Sequence, residues 1–533
     1  MKIRLITSLI MAFILVMVSC EREKQIDLLD ATIALENQTD GTIIQEPNGK
    51  VELDAVAQSP AGIKKIEVIV GGNVAANVEF NEKVYTYYYE YMYTVPTSAT
   101  LGDEISIVFR MEDNEGRIVS TSMVIVRVAQ PYEIVDFIKG TNTFRKISGR
   151  INRDVTLTKD TKWLIDGVVS VDEDATLTIE EGTTVYFRTF SNTNYSQLVI
   201  LRGGKIIALG TRTEPIVFTS DKVLTNNAAR ADWGGISING NAPTNAGNSV
   251  ISGGFRYGGT NASDNSGELR FVRIEYTGKG ALHSLHLNGV GSGTTIEYLQ
   301  SFESYNDALR VRGGRVSLRY IAGIQHGGYG IWADEGWQGN GQFWIFKTNI
   351  KATLTPVNYW NQARSIEFRN DDSFFEKQPR TNFKLSNITL IGTGATITDG
   401  TRRGIRIRRG AEGLFYNAII TEFPSDAVRV EDLPLETLGV NTIINHIHSY
   451  NNSVNWEQEA KTFFFDSGNY NLNETPVIGI TLNDFVGTVS SPFNPASMGS
   501  WFEDAPYIGA VNPSNDWTKG GSWFKNIDGT IRQ

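Results

Sequence analysis

Short runs of alternating apolar and polar residues, punctuated by glycine, asparagine and aspartate, fill the chain after its first segment. Such period-two runs predict strands rather than helices. Val51–Ala57, Ile63–Val70, Val84–Val95, Glu104–Glu112 and Ile118–Val128 form a first group, with a hairpin-turn cluster at Asp113-Asn114-Glu115-Gly116. Their spacing predicts an immunoglobulin-like β-sandwich over residues 28–130. No cysteine pair supports it, so the prediction rests on strand number. Tyr85, Tyr87, Tyr89, Tyr91 and Tyr93 fall on one face of a strand. They would form a stacking platform for sugar, a docking face for a protein, or rings packed against their own sheet. Residues 131–154 read as a linker.

Beyond residue 155 the pattern gains a longer period. Arg273-Ile274-Glu275-Tyr276, Thr295-Ile296-Glu297-Tyr298 and Ser317-Leu318-Arg319-Tyr320 recur every 22 residues. A second strand type keeps step, at His286-Leu287-Asn288-Gly289, Ala308-Leu309-Arg310-Val311 and Gly330-Ile331-Trp332-Ala333. Two strand types on one shared period predict the rungs of a parallel β-solenoid over residues 155–468. Tyr276, Tyr298 and Tyr320 would then stack as one ladder, and Ile274, Ile296 and Leu318 as another. The period is lost over residues 469–533, which are rich in aromatic residues and predict a cap over the open end of the coil.

"GVVSVDEDATLTIEEGTTVYF", "GGKIIALGTRTEPIVFTS" and "WGGISINGNAP" resemble the entry rungs of right-handed parallel β-helix proteins of the pectin-lyase-like fold. "ELRFVRIEY", "GVGSGTTIEYLQS", "EGWQGNGQFWIF" and "YIGAVNPSNDW" are similar to a group of secreted bacterial lipoproteins of that fold without established catalysis. The resemblance implies an all-β chain, a right-handed parallel β-helix preceded by the immunoglobulin-like sandwich. In that group a pair of acids precedes a Gly-Gly turn; here Asn306-Asp307 precedes Gly313-Gly314, so half the pair is missing.

The start of the chain reads as an address. Lys2 and Arg4 precede an apolar run from Leu5 to Val18, which ends at Ser19-Cys20. The run is a secretory signal over residues 1–19, too short to span a bilayer comfortably. Cys20 is the chain's single cysteine, and its setting resembles a bacterial lipobox, with Met17 where Leu is usual. The resemblance implies acylation of Cys20, for example by palmitate, and a tether over residues 20–27. Glu21, rather than Asp, leaves the inner-membrane retention signal unmatched, so the expected location is the outer membrane; the charged run Glu21-Arg22-Glu23-Lys24 resembles surface-export tethers and implies the cell surface. One cysteine excludes an internal disulfide framework. The net charge of −10 argues against nucleic acid as a partner.

Placing Leu309, Val311, Ile331, Ala333, Ile405 and Ile407 inside the coil turns their neighbours outward. One outward column is then Ser237, Asn288, Arg310, Trp332, Glu367, Arg406 and Arg429. The next is Asn239, Val290, Arg312, Asp334, Arg369, Arg408 and Glu431. The candidate ligand face is Arg310, Arg312, Trp332, Asp334, Glu367, Arg369, Arg406 and Arg408. Planar guanidiniums and an indole suit an anionic glycan or an acidic peptide segment. The same residues also suit a solvated face of Arg–carboxylate pairs, Asp334 with Arg312 and Glu367 with Arg369, the reading that the pattern favours. No catalytic residue, metal site or cofactor is assigned. The Asp pair and Gly-His-Gly of polygalacturonases are absent, His326 with Gly327-Gly328 is a partial echo, and His446 and His448 lack a third ligand. The expected function is non-catalytic, as a ligand-binding or accessory subunit beside an integral outer-membrane transport or assembly protein. The alternatives are a lyase or glycoside hydrolase acting on acidic glycans, and an adhesin or structural surface protein.

Overall fold

The protein is described from a computed structural model covering residues 30–36, 41–100, 102–129, 132–348, 364–396 and 402–533. The expected signal segment, the tether and Cys20 lie outside the described residues. The chain divides into two compact units, residues 1–129 and 130–533. Among the described residues no helix is long and apolar enough to cross a membrane.

The first unit holds β1 (Thr32–Leu35), β2 (Gly41–Gln45), β3 (Lys50–Val70), β4 (Asn73–Thr94), β5 (Glu104–Asp113), β6 (Ile118–Ser120) and β7 (Val124–Val128). The long strand β3 serves two neighbourhoods. Its first half pairs with β1 and the end of β4, and its second half pairs with β5 and the start of β4. The register slips between Gln58 and Ile63, the kind of irregularity that bends a strand from one layer to another. β2 runs parallel to β7. The alternation of β4 is as expected, and its direction is inward. Tyr89 and Tyr91 meet Phe109 edge-on at 5.9 and 6.2 Å, and Tyr87 meets Phe80 at 4.8 Å. Tyr93 is buried, whereas Tyr85 is exposed. The rings therefore complete the core of this unit, because Phe109 offers them apolar surface that water does not.

Of residues 131–154, expected as a linker, those from Tyr132 onward are built into the second unit. Tyr132–Lys139 and Asn142–Ile151 form an antiparallel hairpin. Its second strand pairs in parallel with Trp163–Val171. Phe144, Ile147 and Ile151 are buried there, so the hairpin covers apolar side chains and the strand edge of the first rung.

From that point parallel strands stack rung on rung in one continuous sheet. Leu309, Val311, Ile331, Ala333, Ile405 and Ile407 all lie fully buried in the coil interior, as the alternation requires. Two registers depart from the regular period. Ile296 stacks on Leu269, 27 residues earlier, not on Ile274. Arg310 pairs with His286, 24 residues earlier. Longer turns in these rungs insert the extra residues. The similar segments Arg273–Tyr276 and Thr295–Tyr298 therefore sit on opposite sides of a corner of the coil.

That corner is a column of residues in the left-handed region, Phe271, Tyr298, Tyr320, Phe343, Asn387, Asn417 and His446, with φ between 50° and 59°. The observed aromatic ladder is Phe271–Tyr298–Tyr320–Phe343, stacked at 4.4, 4.2 and 4.8 Å; Tyr276 belongs to the next corner. A left-handed L-residue costs roughly 1–2 kcal/mol. Stacking offsets part of this, at about 0.5–1.5 kcal/mol per aromatic pair beyond area burial. At Asn387 the compensation is polar: its amide donates to the carbonyls of Ala505 and Tyr507 at 3.1 and 2.6 Å.

Those last contacts correct the expected cap. The C-terminal segment runs back along the flank of the coil as a strap. Asn417 donates to the Phe493 carbonyl, Gln342 to that of Glu503, Arg273 to those of Ser522 and Trp523, and Arg212 to that of Trp517. The open end is closed instead by residues 456–472. There Trp456, Ala460 and Phe464 join the interior core, with Phe463, Phe465, Tyr470 and Leu472 packed against it. The aromatic density of the tail serves the corner ladder, since Trp517 and Trp523 meet Tyr298 edge-on at 6.5 and 5.9 Å.

Candidate functional site

One face of the coil gathers the candidate residues. The strands Ile236–Asn239, Leu285–Asn288, Leu309–Arg312, Ile331–Asp334, Arg364–Phe368, Arg403–Ile407 and Asp426–Val430 lie side by side. The first column reads Ser237, His286, Arg310, Trp332, Glu367, Arg406 and Arg429. The neighbouring column begins Asn239, Asn288, Arg312 and Asp334. His286 thus replaces Asn288, and Asn288 replaces Val290, because that rung is two residues longer than the period. From Arg310 onward the first column stands as expected.

The face is a dense ion-pair network. Arg310, 2 % exposed, donates Nη2 to both Asp334 oxygens at 2.8 and 2.7 Å. Its Nη1 donates to the carbonyls of Val311 and Trp332. Arg310 and Arg369 both lie over the Trp332 ring, 4.0 and 4.2 Å from its centroid. Arg369 Nε is also 3.4 Å from Asp334. Glu367, 1 % exposed, takes Arg408 at 2.8 Å and Arg364 at 2.9 Å. Arg406 and Arg429 share Glu431. The pairing expected of Asp334 with Arg312 is made by Arg310, and that of Glu367 with Arg369 by Arg408 and Arg364. Arg312 turns to a hairpin laid over the face, Val250–Ser252 with Phe255–Tyr257. It donates to Ser252 Oγ at 2.9 Å, and Tyr257 of the same hairpin donates to Glu335 at 2.6 Å.

Electrostatics follow from this packing. Burial opposes the Arg310 charge, but Asp334, Glu335 and Asp307 outweigh it and its pKa is raised. Burial and the neighbouring Arg364 push Arg406 down to about 9, with Glu367 opposing. Burial, followed by the Asp334 charge, raises Glu335. His286 is buried beside Arg310 and Arg312, and burial takes its pKa well below the ordinary value, so its ring is neutral. Its Nε2 meets no hydrogen-bond partner among the described residues.

Four further residues belong to this face and were missed: His286, His283, Tyr329 and Arg364. His283 Nδ1 is 3.0 Å from Asp307 Oδ2, and its ring meets His286 edge-on at 5.2 Å. Arg364 donates to the Tyr329 hydroxyl at 3.0 Å. A 24-residue spacing between His286 and Arg310 was the signal that could have found the first. His446 and His448 are bound elsewhere, the first to Asn471 and the second to the Thr475 carbonyl. Among the described residues no three or more of His, Cys, Asp and Glu are grouped to hold a metal ion.

His326, at the edge of the face, is fully buried and bonds the Gly328 carbonyl at 2.8 Å through Nδ1. Burial pushes its pKa down to about 4, although the Gly328 bond and Asp307 oppose this. Its unfolded value is near the ordinary 6.5. The unfolded chain therefore binds a proton between these values that the folded chain does not. The stability it contributes is complete above pH 6.5 and is lost as pH falls through 4, by roughly 3 kcal/mol. Urea unfolding at stepped pH should show that slope in the wild type and a flatter one in His326→Gln. Parallel profiles would overturn the assignment.

Residues 149–477 match the family model described as a pectate-lyase-like β-helix domain. This is more than half of the chain, and the protein belongs to that family. Among solved structures the chain is similar to pectate lyase Pel3 from Pectobacterium carotovorum, at 8% identity over 74% of this chain and 85% of that one, TM-score 0.15. It is similar to pectate lyase PelI from Erwinia chrysanthemi in complex with tetragalacturonic acid, at 7% identity over 76% and 89%, TM-score 0.13. The Clostridium thermocellum CbhA fibronectin(III)-like modules match at 16% identity over 19% of this chain and 98% of theirs, TM-score 0.13. No curated protein matches the chain.

Proposed function

We propose that this protein is a surface-exposed outer-membrane lipoprotein whose β-helix binds a ligand without cleaving it, as an accessory subunit of a transport or assembly complex. In this reading Cys20 carries the lipid, and the first unit is an immunoglobulin-like spacer. The β-helix presents its arginine-rich face to an acidic glycan or peptide. One observation carries the non-catalytic reading: Arg310, Arg369, Arg406 and Arg408 each already meet a carboxylate of the fold. A lyase needs cationic charge free to neutralise the acid group of its substrate as the proton leaves the adjacent carbon. Here that charge is committed to Asp334, Glu367 and Glu431. The half-buried rims of Trp332, Arg312 and Arg369 offer contact surface on a stiffened frame.

A lyase is the second reading. It is favoured by His286, a neutral imidazole beside Arg310, which has the form of a base next to a cation. Incubation with a panel of acidic polysaccharides separates the two readings. Retardation in affinity gels without new unsaturated or reducing ends is the expected result. Appearance of such ends, lost in His286→Ala, would establish the lyase. Labelling with a palmitate analogue should be abolished by Cys20→Ala. Capture of an integral outer-membrane protein by the detergent-solubilised full chain is expected of an accessory subunit.

A further inference from the structure

A second basic group, Arg230, Arg402, Lys347 and His326, lies in the turns and strand ends behind the front strands. The Arg230 side chain is 6% exposed, and its nearest carboxylate is Glu303, with Oε2 3.9 Å from Nε. Neither Nε nor Nη2 of Arg230 meets a hydrogen-bond acceptor among the described residues. These two nitrogens form one straight edge of the guanidinium, with parallel donors that match two oxygens of a carboxylate, sulfate or phosphate. Three other basic groups lie within electrostatic reach. Arg402 acts on Arg230, and both Arg230 and Lys347 act on His326. Lys347 is 3% exposed and, among the described residues, donates to the carbonyls of Thr348 and Gly392, at 3.1 and 2.6 Å. His326 is wholly buried, and its Nε2 has no partner among the described residues.

A buried cation with an empty donor edge is costly unless something occupies that edge. Burial lowers Arg230 to about 10, and burial lowers Lys347 to about 8 even though Glu422 opposes it. Glu303 and Glu422 oppose these shifts without offsetting them. We propose that this basket is a binding site for a small oxyanion, held bidentately on the Nε–Nη2 edge of Arg230 and supported by the charge of Lys347. The shared chemistry is a planar or tetrahedral oxyanion, either a free inorganic ion or the acid group of a sugar. The inference is independent of whether the front face binds or cleaves a glycan.

The test uses the whole chain at constant ionic strength set with chloride. Sodium sulfate, sodium phosphate and glucuronate are titrated separately in calorimetry and thermal unfolding. Saturable binding with a rise in melting temperature is expected, with affinity at least tenfold weaker in Arg230→Gln and weakened in Lys347→Gln. Response to the inorganic ions identifies a free-ion site; response to glucuronate alone identifies a sugar acid. Because Arg230→Gln could fail to fold, wild-type crystals soaked in selenate supply a second measurement, with selenium expected beside Arg230. The proposal is overturned if no salt exceeds the chloride control, if Arg230→Gln binds as the wild type does, or if selenium is absent from Arg230.

Discussion

Trp517→Ala is expected to destabilise the β-helix unit by about 3–5 kcal/mol, the usual cost of deleting a buried tryptophan. Trp517 is 4% exposed and donates its indole NH to the Ala510 carbonyl at 2.9 Å. Its ring meets Tyr320 at 5.3 Å and Trp523 at 5.9 Å. It therefore fastens the C-terminal strap to the ladder at the left-handed corner, where the rings offset backbone strain. Removing it exposes Tyr298 and Tyr320 to water and leaves the strap held mainly by polar contacts such as Arg212 with the Trp517 carbonyl. Urea unfolding measures the loss. Limited proteolysis of the native state should cut the strap of the variant well before the coil. A change below about 1 kcal/mol with the strap uncut would mean that the tail is not part of the cooperative unit.

Arg310→Met is expected to cost about 3–5 kcal/mol, because it strands Asp334 as a buried, uncompensated carboxylate. Asp334 is 6% exposed, and after the change its remaining partner is Arg369 at 3.4 Å, which places the effect toward the lower end. Adding Asp334→Asn removes the charge that was left behind, so the double variant should recover most of the loss. A double-mutant cycle by urea unfolding gives the coupling directly. Additive single and double effects would show that the two side chains do not depend on each other. The same cycle bears on function, since strong coupling means that an incoming acid must compete with Asp334 for the guanidinium.

Much of the strand face was legible in the sequence. Alternation alone assigned Leu309, Val311, Ile331 and Ala333 to the interior and Arg310, Trp332 and Arg312 to the outside, because side chains of an extended backbone must point to opposite faces. The 22-residue step from Arg310 to Trp332 holds in the register. The same step failed at His286 and at Tyr276, where turns of different length carry the chain between strands. Parallel pairing is decided by which side chains stack in the interior, and a longer loop adds little entropy cost. Similar words such as Arg273–Tyr276 and Thr295–Tyr298 can therefore occupy different corners.

By itself, then, the sequence determined the strand content, the repeating rung and the inward and outward sides of its regular strands. These are local consequences of backbone geometry and apolar burial. Tertiary structure alone decided the partners of the arginines, the route of the tail and the closure of the coil's end. Those contacts join residues as distant as Arg212 and Trp517, 305 positions apart. A side-chain period records which way a residue faces, while the identity of what it meets there depends on how every intervening turn is closed.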